Sequence, residues 1–536
     1  MSIITLISID EYGPSLGIRL LSSVLKKAGF ETNLIFVFGE NNNTENPNNI
    51  FSKEVQDSII NICKDSLYIG LSVITPTFHL AGELTQIIKQ SLDIPVIWGG
   101  IHASVKPEDC LKYADMVCIC DGENLVVELA NAILNNEDVS TIKNIQLKNK
   151  EKISEYYQHD ISLNPQPDYS FDGTHYVVTS GGVRVFTLDE YQRILSYNYY
   201  LSPTRGCPFH CSFCIESNPA FKHGKFRKRT IDSIVEELLW VKTELNVVKL
   251  IIIDDDCFIA IGNDELQYFS EKYKRLINLP FVIRGAHFRY ITKEILSMLC
   301  DAGLMKLRLG IQTGSESTRR LYNRIYENNA MILEKSLIIN DFIKKGKLRY
   351  IMYDIILDNP LEKEEDLYET FKLILSLPKP FGLYIFSLRF YPGTEIYALA
   401  LEKKLINDNQ INDAYLKDYF TKNNNHYNKV FLLINKTDFP KIVYKLIFKN
   451  NSLNMYIVRH LNNFRRLVPE LFIFMNTIDR YRVDTDLFLK AYSKTNEKQY
   501  NKKFIVLFRK FIGKIYFLFF SPGKIFCYSY YHKKNL

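Results

Sequence analysis

Two consecutive runs of alternating apolar and amphipathic segments, separated by a polar, proline-bearing stretch, constrain this 536-residue chain more than any other feature. In the first run, buried-strand patterns at 3–9, 32–38, 68–73, 95–98 and 116–120 alternate with helical stripes at 16–28, 55–63, 80–90, 107–113 and 125–134. Gly13-Pro14 breaks the first strand, and Gly29 ends the first helix. Alternation of this kind commits a segment to a mainly parallel sheet with helices on both faces, and ligands of such sheets bind beyond the carboxyl ends of the strands. The loops there are 10–15, 72–78, 99–104 and 121–124. No GxGxxG follows the first strand, so the pattern does not predict a dinucleotide site. The strand ends also lack the acidic cluster and paired lysine of a response regulator.

The second run repeats the alternation. Strand patterns fall at 194–201, 249–253, 281–285, 306–311, 349–357 and 383–390, with helices at 231–245, 266–277, 292–301, 332–345 and 363–377. Six β/α units predict a partial barrel, with polar residues gathered at the carboxyl ends of its strands, where barrel enzymes keep their sites. The first of these strand ends carries Leu201-Ser202-Pro203-Thr204-Arg205-Gly206-Cys207, followed by Cys211 and Cys214. Pro203, Gly206 and Pro208 force a loop there. With 10 cysteines in the chain, a CxxxCxxC triplet arises by chance in about 0.004 chains of this length, so the spacing carries information. Structural zinc needs four closing ligands, and no second cysteine pair is visible. A disulfide framework does not suit a long, cysteine-poor chain. Cubane iron–sulfur clusters normally take four thiolates, so three local thiols point to a cubane with one iron left open.

CxxxCxxC with Phe213 before the last cysteine resembles the signature of the radical S-adenosylmethionine enzymes. The resemblance continues through Ile252-Ile253-Asp254-Asp255-Asp256, Leu309-Gly310-Ile311-Gln312-Thr313-Gly314-Ser315 and Tyr391-Pro392-Gly393-Thr394. It implies a [4Fe-4S] cluster on Cys207, Cys211 and Cys214 whose open iron chelates S-adenosylmethionine and cleaves it to a 5′-deoxyadenosyl radical. It also implies S-adenosylmethionine contacts from Phe213, Asp255, Asp256, Gln312 and Arg324. Gln312 stands where relatives often carry Glu, and Asp358-Asn359-Pro360 where many have a Gly-x-Pro turn. Without any ligand, an acidic triplet at a strand end reads as a helix cap with a solvated loop, and Arg324 reads as a surface residue of a helix. The first run resembles the cobalamin-binding domain that precedes radical SAM domains. The matching residues are Leu16-Gly17-Ile18, Gly70-Leu71-Ser72, Trp98-Gly99-Gly100-Ile101-His102, Pro107-Glu108 and Gly122-Glu123. That likeness implies cobalamin contacts from Ser72, Thr75, Gly99, Gly100, His102, Gly122 and Glu123. The DxHxxG motif of a lower cobalt ligand is absent. His79 and His102 are the only histidines near these strand ends, and His102 also reads as a loop hydrogen-bonding residue.

The expected architecture is α/β: a Rossmann-like doubly wound cobalamin-binding domain over 1–140, a linker over 141–195, a (β/α)6 partial TIM barrel over 196–400, and a mostly helical C-terminal region over 401–536. The extended stretch 158–172 is expected to cross between the first two domains. Helical patterns recur at 441–449 and 467–481. The apolar but basic stretch 504–520 reads either as a helix closing the barrel or as a membrane-surface helix giving weak membrane association.

The resemblance implies a cobalamin-dependent radical SAM enzyme that methylates an unactivated carbon of a small-molecule or natural-product substrate, with flavodoxin or ferredoxin as electron donor. The alternatives are radical cyclisation or rearrangement, a methylthiotransferase, and a non-enzymatic cobalamin-binding module. The methylthiotransferase needs a second cluster, but Cys63, Cys110, Cys118 and Cys120 fall inside predicted helices and strands. Cys257 and Cys300 read as buried thiols. Net charge is +7, too small at this size to argue for nucleic acid. No signal peptide and no 18-residue apolar span are read, and scattered unpaired cysteines fit a reducing cytoplasm.

Overall fold

The computed structural model describes residues 2–9, 14–38, 50–148, 150, 156–218, 221, 226–406, 425–437 and 439–464. The first run folds as β1 (Ile3–Ile9), α1 (Leu16–Lys27), β2 (Glu31–Val37), α2 (Lys53–Cys63), β3 (Ser66–Ser72), α3 (Phe78–Ser91), β4 (Val96–Gly99), α4 (Ile101–Val105), α5 (Pro107–Cys110), β5 (Met116–Cys118) and α6 (Glu123–Asn135). These five strands are parallel and lie in the order β5-β4-β3-β1-β2. Their apolar residues divide between two cores. Ile4, Leu6, Leu34 and Phe36 pack on one face, and Ile7, Ile9, Ile35 and Val37 on the other. That is why the strands read as near-continuous apolar runs rather than as alternating ones. The helix expected at 107–113 is the short helix α5, and the loop expected at 99–104 carries a second short helix, α4.

Residues 141–195, expected to link the domains, mostly add to this first sheet. β6 (Ile145–Leu147) pairs antiparallel with β5, β7 (His175–Thr179) pairs parallel with β2, and β8 (Gly182–Val185) returns antiparallel along β7. The sheet therefore has eight strands. The stretch between β6 and β7 reaches both halves of the molecule. Arg19 on α1 donates to the Asp168 carbonyl at 2.9 Å, and the Thr230 amide donates to Ser162 Oγ at 3.1 Å. The apolar run 194–201, read as a single strand, is split between α7 (Leu188–Leu195) and β9 (Asn198–Leu201). Thr187 accepts from the Glu190 amide to start α7, and Ser196 and Tyr197, with φ of 51° and 61°, turn the chain before β9.

The second run continues with the short ribbon β10 (Thr204–Arg205) and β11 (Arg227–Lys228). It proceeds through α8 (Ile231–Glu244), β12 (Leu250–Asp254), α9 (Asn263–Lys272), β13 (Phe281–Ala286), α10 (Lys293–Ala302), β14 (Leu304–Gln312), α11 (Glu316–Leu321), α12 (Asn329–Lys344), β15 (Tyr350–Leu357), α13 (Glu364–Ser376) and β16 (Gly382–Ser387). The sheet order β9-β12-β13-β14-β15-β16 is sequential and wholly parallel, as six consecutive β/α units require. Among the described residues four helices follow: α14 (Glu395–Glu402), α15 (His426–Lys436), α16 (Lys441–Phe448) and α17 (Ser452–Phe464). Phe371 on α13 packs on Phe448 of α16 at 4.2 Å, so α16 lies against a helix of the second run. The stretches 467–481 and 504–520 lie outside the described residues, as does the Asn-rich stretch 41–49. Among the described residues no helix is long and apolar enough to cross a membrane.

Candidate active site

The cysteine loop leaves the carboxyl end of β9 and is fixed from three sides. Asp255, just beyond β12, accepts from the Thr204 amide and hydroxyl, both at 2.7 Å, and from the Cys257 amide at 2.9 Å. Ser212, between the second and third cysteines, donates its Oγ to the Leu321 carbonyl at 2.7 Å and its amide to the Tyr322 carbonyl at 3.1 Å. The Ile396 amide donates to the Ser212 carbonyl at 3.0 Å. Gly285 on β13 passes so close that a Cβ there would lie 2.0 Å from the Asp255 carbonyl oxygen; its φ of 74° is a second reason for glycine.

Cys211 is 7% exposed. Its sulfur lies 3.2 Å from Tyr326 Oη and accepts from Arg324 Nη1 at 3.5 Å. The ligand atoms of Cys207, Cys257 and His287 all lie within 4.8 Å of one another. Phe209 stacks on Tyr326 with centroids 4.0 Å apart and tilts against His287 at 4.3 Å, so an aromatic wall closes one side of the loop. None of the nine described cysteines is in a disulfide. Facing the thiols are carboxylates. Asp256 has solvent access but is otherwise walled in, and desolvation, then Glu216, Asp255 and Asp254, raise its carboxyl to about 7. Burial also raises Glu216, with Arg227 opposing. Three unbridged thiols on a pinned loop suit a thiolate-ligated cluster. The ionisable Asp256 beside them suits a cationic co-ligand, because a nearby cation would lower that carboxyl.

The residues expected to bind S-adenosylmethionine divide into two groups. Phe213 packs edge-on to Tyr322 at 5.0 Å. Gln312 ends β14 with φ of 64°. Asp255 is spent on Thr204 and Cys257, as above. Arg324 is no surface residue: it is 4% exposed and also donates to Glu327 at 2.7 Å and to the Gly310 carbonyl at 2.8 Å. On the inner face of the second sheet, Arg308 Nε donates to Asp354 at 2.8 Å beneath Tyr384, and Arg284 lies over Tyr200.

In the first sheet the strand order reverses between β1 and β3, the switch point at which open α/β sheets bind ligands. A cavity of about 220 Å³ opens there, lined by Ser8, Ile9, Ser15, Gly17, Ser72 and Ile74. Gly99 ends β4 and Gly100 follows it on the same edge. Gly100 has φ of 97°, and a Cβ on it would meet the Val73 carbonyl at 2.8 Å. Thr75 and His102 are buried beneath this edge and hydrogen-bond to each other at 3.1 Å. His102 also packs on Phe78 at 4.6 Å. Gly122 caps α6, and the Glu123 carboxylate is paired with Arg205. The strand-end loops, with their glycines and open crevice, suit a large ligand approaching the backbone.

The carboxyl-end loops of the two sheets meet, as the crossing segment 158–172 allows. Asp121, after β5, accepts from Arg205 Nη1 at 2.8 Å and Arg227 Nη1 at 2.5 Å, and also from the His159 amide at 2.9 Å. Arg205 is two residues before Cys207. Burial opposes ionisation of Asp121, but Arg227 and Arg205 outweigh it and hold the carboxyl below the usual range. A second contact lies at Gly393, where an added Cβ would meet Val105 Cβ at 3.1 Å.

A doubly wound domain of the cobalamin-binding type, facing a six-unit parallel sheet with a cysteine triplet at its first strand end, defines a cobalamin-binding radical SAM protein. Family models agree: the B12 binding domain matches residues 3–130 and the Radical SAM superfamily residues 201–374, so the chain belongs to the radical SAM superfamily with an N-terminal B12-binding domain. It is 22% identical over 333 residues to the cytidylyl-2-hydroxyethylphosphonate methyltransferase of Streptomyces wedmorensis, covering 56% of this chain and 61% of that one. It is 22% identical over 384 residues to the bacteriochlorophyllide d C-8(2)-methyltransferase of Chlorobaculum tepidum, covering 70% and 75%. The fold resembles that of the radical S-adenosylmethionine methyltransferase TsrM from Kitasatospora setae, with a TM-score of 0.60 at 15% identity, over 75% of this chain and 76% of that one.

Proposed function

We propose that this chain is a cobalamin-dependent radical SAM enzyme that methylates an unactivated carbon of a small molecule. The observation that carries the reading is the direct apposition of two strand-end faces, one bearing the cysteine loop and the other the B12-type crevice, held by Asp121 between Arg205 and Arg227. A substrate in the gap reaches both cofactors, and orientation of this kind lowers the barrier of a transfer reaction. When bound, the cluster supplies an electron, S-adenosylmethionine the 5′-deoxyadenosyl radical, and cobalamin a carried methyl group.

The chain's own residues bind and orient. Cys207, Cys211 and Cys214 hold the cluster. Asp256 faces the positive charge of S-adenosylmethionine, with Phe213 and Gln312 beside it, while Asp255 and Arg324 hold the surrounding loops. Ser72, Gly99, Gly100 and Gly122 line the cobalamin edge, supported by Thr75, His102 and Glu123. The second sheet curls as a partial barrel around the substrate. The electron comes from a flavodoxin- or ferredoxin-type donor in a reducing cytoplasm. The relatives named above methylate a phosphonate nucleotide and a chlorophyll-type pigment, so methyl transfer to a small molecule is the shared element and the substrate itself differs.

The test is anaerobic reconstitution with iron, sulfide and cobalamin, followed by S-adenosylmethionine and a strong reductant. Both 5′-deoxyadenosine and S-adenosylhomocysteine are expected, with the first abolished by Cys214→Ala. Deoxyadenosine alone replaces methyl transfer by a cyclisation or rearrangement. Bound cobalamin with neither product reduces the chain to a binding module.

A further inference from the structure

Two of the three proposed cluster cysteines have side-chain donors aimed at their sulfurs. Tyr326 Oη is 3.2 Å from Cys211 Sγ, and Arg324 Nη1 donates to the same sulfur at 3.5 Å. The Cys257 sulfur lies within 4.8 Å of that of Cys207, where its thiol can turn toward it. A sulfur bound to iron is a thiolate and has no proton to give, so the phenol and the Cys257 thiol become the donors. Cys257 does not fit as a fourth iron ligand. Its sulfur sits against Cys207 itself, whereas each cubane corner carries its own thiolate.

We propose that Tyr326 and Cys257, with Arg324, raise the reduction potential of the cluster by donating hydrogen bonds to the Cys211 and Cys207 thiolates. The inference rests on the cluster assignment made above. Reduction adds an electron, and the added negative charge spreads onto the thiolates. Donors aimed at those sulfurs stabilise the reduced form more than the oxidised one. The aromatic wall of Phe209, Tyr326 and His287 strengthens the donors at Cys211 by helping to keep water from that buried sulfur. Arg324 adds less than a free cation would, because Glu327 neutralises it at 2.7 Å. The asymmetry matters for function: two thiolates are tuned, and electron uptake from a donor of modest potential becomes easier.

These are positioning residues for the cluster, and the midpoint potential reads them without any substrate. The test uses the full chain, reconstituted anaerobically, with the cluster's EPR signal followed through a redox titration. Tyr326→Phe keeps the ring that stacks on Phe209 and removes only the hydroxyl; Cys257→Ala removes only the thiol. Each variant is expected to retain wild-type iron and sulfide. Each lowers the reduced-to-oxidised ratio at fixed potential by about tenfold, a shift of about 59 mV to more negative potential for a one-electron couple. The two shifts add in the double variant, since the donors act on different sulfurs. Unchanged midpoints in cluster-loaded variants overturn the tuning and leave the cluster assignment standing. A variant that loses its iron makes the residue structural and overturns the proposal for that residue. A wild-type chain that takes up no cluster overturns the assignment itself.

Discussion

His102 shows how much a single side chain's direction decides. Its position, two residues past a Gly-Gly strand end, is legible in the sequence; whether the ring faces the crevice or the core is not. The ring is fully buried, with Nδ1 on Thr75 and one face on Phe78. Burial lowers its pKa to about 4. The sign follows from linkage: below the unfolded value of about 6.5 the unfolded chain takes up a proton that the folded chain refuses. Stability is therefore full above about 6.5 and is lost as pH falls toward 4. Between pH 7.5 and 5 this single group removes about 2 kcal/mol. His102→Asn retains a partner for Thr75 and removes the titration. In a Trp240→Phe background, urea unfolding monitored by Trp98 fluorescence should then show about 2 kcal/mol less acid loss over that interval. Parallel pH profiles for the two proteins would show that His102 is not the titrating group.

At the scale of elements, the strands were legible and the elements that aim them were not. The run 3–9 declares itself by composition, and it folds as β1 over those same residues. The strand–turn–strand of β7 and β8 was missed although Ser180-Gly181 between two β-rich runs is a hairpin signal. A polar, proline-bearing neighbourhood masked it. Thr187-Leu188-Asp189-Glu190 is likewise a helix start, read over because the apolar residues after it suit a strand equally well. The cysteine spacing is legible because its three thiols are local; the clamp of their loop is not, because Thr204 and Asp255 are 51 residues apart. Asp255 accepts three hydrogen bonds, so Asp255→Asn turns an amide NH₂ toward donors and costs about 1–3 kcal/mol at the base of the loop. Reconstituted Asp255→Asn should retain less than half the wild-type iron. Asp256→Asn should keep its iron but bind S-adenosylmethionine several-fold more weakly by equilibrium dialysis. Full iron in Asp255→Asn would show that the clamp is dispensable, and that Asp255 is free to act on ligand instead.

Across the whole molecule, the two sheets meet at an aromatic joint, where Tyr169 bridges Arg19 of α1 and Tyr199 of β9, and at a charged clasp between their strand-end faces. Asp121 is 8% exposed at its side chain, and Arg205 and Arg227 reach it from the segments that flank the cysteine loop. No local pattern marks these residues, because each half of the clasp looks like a solvated charge until the other half is placed. The stretch around His159 closes the joint from a third side, with its carbonyl accepting from Arg227 at 2.9 Å. Breaking a buried pair leaves partners uncompensated at about 3–5 kcal/mol, but both arginines retain solvent access, so about 1–3 kcal/mol is the expected cost of Asp121→Asn. That cost falls on the joint rather than on either core, and the two units should then unfold separately. The chain's two tryptophans divide between them, Trp98 in β4 and Trp240 in α8. In a Trp240→Phe background, Trp98 fluorescence follows the first unit, and the visible absorbance of the reconstituted cluster follows the second. With Asp121 in place the two signals should melt together; with Asp121→Asn they should separate, and product formation should fall more steeply than cofactor content because cofactors bound on loosened faces no longer share one substrate. Coincident melting in the variant would mean that the Tyr169–Tyr199 joint, the Gly393–Val105 contact and the chain around His159 hold the units together without the clasp.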